Sequence, residues 1–230
     1  MWDRETAESS IYIDFEGFGR SPNNSMPHPH MLGAYQPKKP AKHSIFHTFC
    51  FKDEWQPISN GWSPNSEVCT LNKAIEKLLS LVHKEGGLLV HYSDHERAVV
   101  EKYCSASIYK KFVERSFNVK PALRRMFNRN RRANAKGGNA PTTLNEFMEY
   151  YMPGHRQVNT IIGAKGPADA CRRLDKVCTS GLNWGAWAPT DKSLAKGLLN
   201  YNKGDCISTW KLAKRLANHN SERYVNLNGI

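Results

Sequence analysis

The ten residues SIYIDFEGFG, from Ser10 to Gly19, decide how the rest of the chain is read. Ser10 to Phe15 is rich in isoleucine and aromatic side chains, and Gly17 and Gly19 close the run, which predicts a strand. Asp14 and Glu16 break its apolar character. They stand two apart, so alternation along a strand turns both to one face. Neighbouring carboxylates repel and are costly to pack against a core unless a cation compensates. A solvated strand face would also accommodate the pair. Its place on an apolar first strand that runs into glycine favours the alternative, hard oxygen ligands suited to magnesium or manganese.

Outward from this strand, Met31 to Tyr35 (MLGAY) and Ile45 to Lys52 (IFHTFCFK) predict two more strands. The short connections suggest an antiparallel start to the sheet. Leu71, Ala74, Ile75, Leu78, Leu79 and Val82 recur at helical spacing from about Thr70 to Lys84, and Gly86 and Gly87 stop that helix. Leu88 to Tyr92 (LLVHY) has the continuous apolar character of a buried parallel strand. A helix opened by Ser93 follows. Strand, helix and strand in this order imply a crossover and a mixed sheet, that is, an α/β fold. Leu144 to Tyr151 predicts a short helix, and Lys192 to Leu216 a final helical region broken near Gly204. The expectation is one α/β domain over 1–230, with a basic stretch of unassigned structure around 105–190.

Two further acids draw attention. In Ser93-Asp94-His95-Glu96, Glu96 is followed at helical offsets by Val99, Val100 and Tyr103, the inward face, whereas Asp94 is followed by Arg97, Ala98 and Glu101. Glu96 is therefore the preferred ligand. The competing reading is specific: Ser93-x-x-Glu96 also fits a capping box, in which Glu96 accepts from a backbone N–H. Near the C-terminus, Tyr201 and Asp205 are four apart and share a helix face. Alone, Y-x-x-x-D is common.

The three motifs in this order resemble the DEDD exonuclease superfamily of the RNase H-like fold, in its tyrosine subgroup. IYIDFEG, LLVHYSDHE and YNKGDCISTWKLAKRL look most like RNase H-like domains associated with RecB-type nucleases. The resemblance implies an RNase H-like mixed sheet, three antiparallel strands and then parallel ones, flanked by helices. It implies that Asp14, Glu16, Glu96 and Asp205 are metal ligands, with Glu96 where the superfamily commonly has aspartate. It further implies two ions of Mg2+ or Mn2+ and a two-metal hydrolysis of phosphodiesters from a 3′ end. Tyr201 would orient the water, since an ordinary phenol pKa of about 10 makes it a poor base. A non-catalytic nucleic-acid-binding module and an endonuclease of the same fold are the alternatives, and a partner nuclease or helicase, as a domain or a separate protein, is compatible with the resemblance.

The composition points the same way. Lys and Arg outnumber Asp and Glu by 33 to 21, a formal +12, which favours a polyanion partner. Ten of those cations lie between Lys110 and Lys136, against the single acid Glu114. Arg124, Arg125, Arg129, Arg131 and Arg132 are the densest part, with Phe112, Phe117 and Phe127 among them. Basic and aromatic residues together suit single-stranded DNA or RNA. An amphipathic helix with phenylalanines in the core explains the aromatics better, and leaves the arginines for phosphates. Trp184 and Trp187 are expected to pack beneath a loop and Trp210 to belong to the core. No apolar run reaches the roughly 20 residues of a membrane span, and the polar start, Met1 to Ser10, does not resemble a secretory signal. A soluble cytoplasmic protein without membrane contact is the expectation, its six cysteines reduced and mostly buried.

Overall fold

Strand β1 (Ile11–Glu16) sits at the centre of the sheet because its neighbours on either side complete its hydrogen bonding. The computed structural model describes residues 2–19, 26–38, 43–62, 65–133, 139–155, 161 and 163–227. On one side β1 pairs antiparallel with β2 (Met31–Gln36), which pairs antiparallel with β3 (Ile45–Cys50). A short β4 (Ser66–Val68) adds parallel to β3. On the other side β1 pairs parallel with β5 (Leu89–His91), and β5 with β6 (Ser116–Asn118). The order β4-β3-β2-β1-β5-β6 is a six-stranded mixed sheet flanked by helices, consistent with the RNase H-like fold expected.

Alternation along β1 divides its side chains between two helical layers. Ile11, Ile13 and Phe15 enter a core with α3 (Leu71–Glu85), α4 (Asp94–Tyr103) and α5 (Ala106–Glu114). Tyr12 points to the opposite layer, built from α6 (Val119–Ala133), α7 (Leu144–Tyr151) and α9 (Pro189–Leu227). A third apolar cluster joins Met31 and Cys50 to Trp55, to Ile58 of α2 (Gln56–Trp62), to α8 (Pro167–Cys178) and to α9. Helix α1 (Arg4–Ser9) leads into β1, capped by Asp3, which accepts from the Thr6 N–H at 2.8 Å.

Helix α3 forms as its periodicity predicts. Its six apolar positions are buried, Thr70 caps its start, and Gly86, with φ of 74°, closes its end. Helix α9 departs from expectation. It runs unbroken for 39 residues through Gly197 and Gly204. Each interior glycine costs about 1 kcal/mol relative to alanine, and packing against β1, β2, β5, α1, α6, α7 and α8 outweighs that.

Candidate metal centre

The strand alternation that sends Tyr12 toward α9 sends Asp14 and Glu16 there too. Asp205 meets them from α9. Ligand-type oxygens of Asp14, Glu16 and Asp205 all lie within 4.8 Å of one another. Among the described residues no other group of three potential ligands is gathered so closely. The helix can come this near because Gly33, the register partner of Asp14 on β2, has no side chain. A Cβ at Gly33 would lie 1.7 Å from Asn202 Oδ1, and the Cys206 thiol donates to the Gly33 carbonyl at 3.6 Å.

Electrostatics at the cluster is unfavourable without a cation. Burial, then the charges of Glu16, Asp205 and Glu96, hold the Asp14 carboxyl well above the usual carboxylate range. Burial and then the charge of Asp205 push Glu16 up to about 8, although hydrogen bonds with Asp14 and Asn202 oppose the shift. Asp205 is raised to about 7 by burial, against a hydrogen bond from Tyr201 that favours its ionised form. Burial and the three acids drive the Tyr201 phenol up as well, so it holds its proton at neutral pH. Among the described residues, no lysine or arginine is a leading influence on any of the three carboxyls. The donor set is all hard oxygen, and the acids are crowded enough to hold a metal ion.

Glu96 is buried and close enough for its charge to act on all three acids, yet it lies outside their group. Its Oε2 accepts from the Ser93 N–H at 3.2 Å and from the Ser93 hydroxyl at 3.0 Å, which closes the capping box foreseen as the competing reading. Burial raises its pKa, but His91, a backbone hydrogen bond and the charge of His95 together outweigh this, and the net shift is downward. His91 Nδ1 lies 3.6 Å from Glu96 Oε2 and 2.6 Å from the Ser93 carbonyl. Asp94, on the exposed face as expected, accepts from the Asn118 side chain at 2.9 Å.

Asn202 is the residue that sequence reasoning missed. It is fully buried, and its Nδ2 donates to the Asp14 main-chain O at 3.0 Å and to Asp14 Oδ2 at 2.7 Å. The signal was present: three residues before Asp205, it shares that residue's helix face. His28 and His30 belong to the approach to β2. His30 is enclosed between Phe18 and Trp55, with Nε2 3.4 Å from Asp175, and burial lowers its pKa to about 4.

The basic segment divides as its amphipathic pattern suggests. On α6, Val119, Leu123, Met126 and Phe127 are buried, while Arg124, Arg125 and Arg129 are exposed. Lys120 lies over the Tyr92 ring, 5.3 Å from its centroid, at the end of β5. Helix α6 starts where β6 ends, on the edge of the sheet that Glu16 and His91 also reach. The side chains of Arg131 and Arg132, and all of Lys136, lie outside the described residues. The phenylalanines do not form an open stacking surface: Phe112 is buried, and Phe117 stacks on Trp2 at 4.6 Å. Trp187 is buried, with Trp184 half-buried beside it at 5.2 Å between centroids and against Gly61, and Trp210, expected in the core, is half-buried at its margin on Tyr35. All six cysteines are free, four of them buried. Among the described residues no helix is long and apolar enough to cross a membrane. Comparison with known protein families, curated proteins and solved structures gives no match.

Proposed function

We propose that this chain is a metal-dependent nuclease, a 3′–5′ exonuclease that hydrolyses phosphodiester bonds of single-stranded DNA or RNA. One observation carries the proposal: carboxylates from a central strand and a distant helix converge within 4.8 Å, with no side-chain cation paired to them among the described residues. Asp14, Glu16 and Asp205 would hold Mg2+ or Mn2+, two ions in the reading that the resemblance supports. Bound divalent cations offset the charge of carboxylates and phosphate and activate water at neutral pH. Tyr201, protonated and hydrogen-bonded to Asp205, can hold a water by its oxygen lone pairs or donate to a phosphate oxygen. Arg124, Arg125 and Arg129 neutralise phosphates and do no chemistry.

The test is incubation of the purified chain with end-labelled single strands in Mn2+, with and without chelator, beside Asp14→Asn and Asp205→Asn. Stepwise shortening from the 3′ end, lost in chelator and in both variants, is the expected result. Activity in either variant at the wild-type rate sinks the proposal. The closed capping box at Glu96 favours a second reading, a nucleic-acid-binding module without catalysis. That reading expects strand binding with no cleavage at any Mn2+ concentration.

A further inference from the structure

We infer that Asn202 is the positioning residue of this centre: its amide fixes the Asp14 carboxylate so that Asp14, Glu16 and Asp205 present one arrangement to a cation. The inference rests on the metal-site reading above. A single nitrogen, Nδ2, donates to both the main chain and the carboxylate of Asp14, at 3.0 and 2.7 Å. Gripping both ends of one short side chain restrains its torsions, and Asp14 keeps further lone pairs for a metal. The amide cannot be turned over at little cost, because its Oδ1 would then face two Asp14 oxygens.

The other side of the amide shows that the residue is not there for its own stability. Oδ1 is buried with no hydrogen-bond partner. A buried unpaired acceptor is unfavourable, and an apolar side chain of the same shape would avoid it. The fold instead makes room. Gly33 lies beneath the amide, where a Cβ would come within 1.7 Å of Oδ1 and 2.8 Å of Cγ. Gly33 pairs with Asp14 across β1 and β2, so the missing side chain lies beside the acid that Asn202 serves. Asn202 is fully buried, so its effect passes through the acids it touches, Asp14 first and Glu16 beside it.

The experiment uses the full chain and two readouts: Mn2+ binding by calorimetry, and cleavage of an end-labelled strand over a Mn2+ series. Asn202→Leu removes the donor at similar volume. Gly33→Ala displaces the amide without changing position 202, and serves where Asn202→Leu does not fold. Outer-shell substitutions typically cost about 10- to 100-fold in metal affinity, so both variants should need roughly tenfold more Mn2+ or beyond. Excess Mn2+ should recover much of their rate at unchanged strand KM, whereas Asp205→Asn should not recover. If Gly33 acts through the amide, Asn202→Ala combined with Gly33→Ala should need no more Mn2+ than Asn202→Ala alone. Wild-type Mn2+ demand in both variants, with only a lower melting midpoint, overturns the inference while the metal site stands. A wild-type chain that binds no Mn2+ overturns the metal reading and the inference together.

Discussion

In the absence of divalent cations, raising the pH from 6.5 to 8 should destabilise the protein, and Mn2+ should remove the effect. The direction follows from proton linkage. Glu16 has an ordinary value of 4.5 and is raised to about 8, and Asp205 goes from 3.8 to about 7. Between those limits the folded chain holds protons that the unfolded chain has released, so stability falls as pH rises. Stability is therefore greatest where both carboxyls are protonated and is lost through their folded values. His30 works the other way. Its ordinary value of 6.5 is lowered to about 4, so the unfolded chain binds the extra proton and stability rises over that interval. His47, also lowered by burial, acts in the same sense. Both oppose the acids most below pH 6.5 and fade above it as the unfolded imidazoles lose their protons, leaving the acids dominant toward pH 8.

The size follows from the same displacements. One pKa unit is worth about 1.4 kcal/mol, so Glu16 alone contributes roughly 2 kcal/mol between pH 6.5 and 8, and Asp14 adds in the same direction. An unfolding entropy of about 2.1 cal/mol/K per residue, taken over 230 residues, turns the Glu16 share into a fall of roughly 4 °C. The assay is a set of thermal melts in chelator at pH 6.5, 7, 7.5 and 8, repeated in saturating Mn2+ and with Asp205→Asn. The midpoint should fall in chelator, hold nearly level in Mn2+, and fall less steeply in the variant, which has lost one of the repelling charges. A midpoint that is flat or rising from pH 6.5 to 8 in chelator would refute the reasoning.

Glu96→Ala should cost about 1 kcal/mol in urea unfolding through the lost capping box, and Asp94→Asn, exposed and bonded to Asn118, less than half as much. Replacing Arg124, Arg125 and Arg129 by alanine should lower the slope of log affinity against log salt by about 2, at roughly 0.7 per single-strand phosphate contact. Unchanged slopes would make α6 an ordinary solvated face. Tyr201→Phe should slow cleavage about tenfold or more without abolishing it, and the wild type should spare a covalently closed single-stranded circle. A circle cut as fast as a linear strand would refute exonuclease action and leave the metal chemistry standing.

The elements legible in the sequence were those whose signal is local and long enough to repeat. β1, β2 and β3, six residues each, and α3, fifteen, show their periods within their own bounds. β4 and β6 have three residues apiece, too few for alternation to register, and unlike β5, also three, they lie in no continuous apolar run such as LLVHY. Their neighbours supply the hydrogen bonds that define them, and beside them Thr48 N–H donates to Asn65 O and Leu89 N–H to Arg115 O. The break expected at Gly204 failed for a related reason. A glycine penalty of about 1 kcal/mol is visible in sequence, but the packing of α9 over most of the molecule is not.

The site was legible in its charges and not in its support. Each acid lies in a pattern readable within a few residues. The hydrogen bond from Asn202 to Asp14 spans 188 positions, and its geometry depends on the space above Gly33, which no local motif records. Glu96 shows a different limit: its local sequence wrote both readings, and the fold closes the capping box while leaving its charge within reach of the cluster. What remains is an energetic asymmetry. Three repelling carboxyls and an amide oxygen without a partner are gathered where apolar side chains would stabilise the fold better. Local rules are broken together, at one place, on both elements that meet there. Folding alone gives no reason for that, and a metal ion, which the three acids could hold, would supply one.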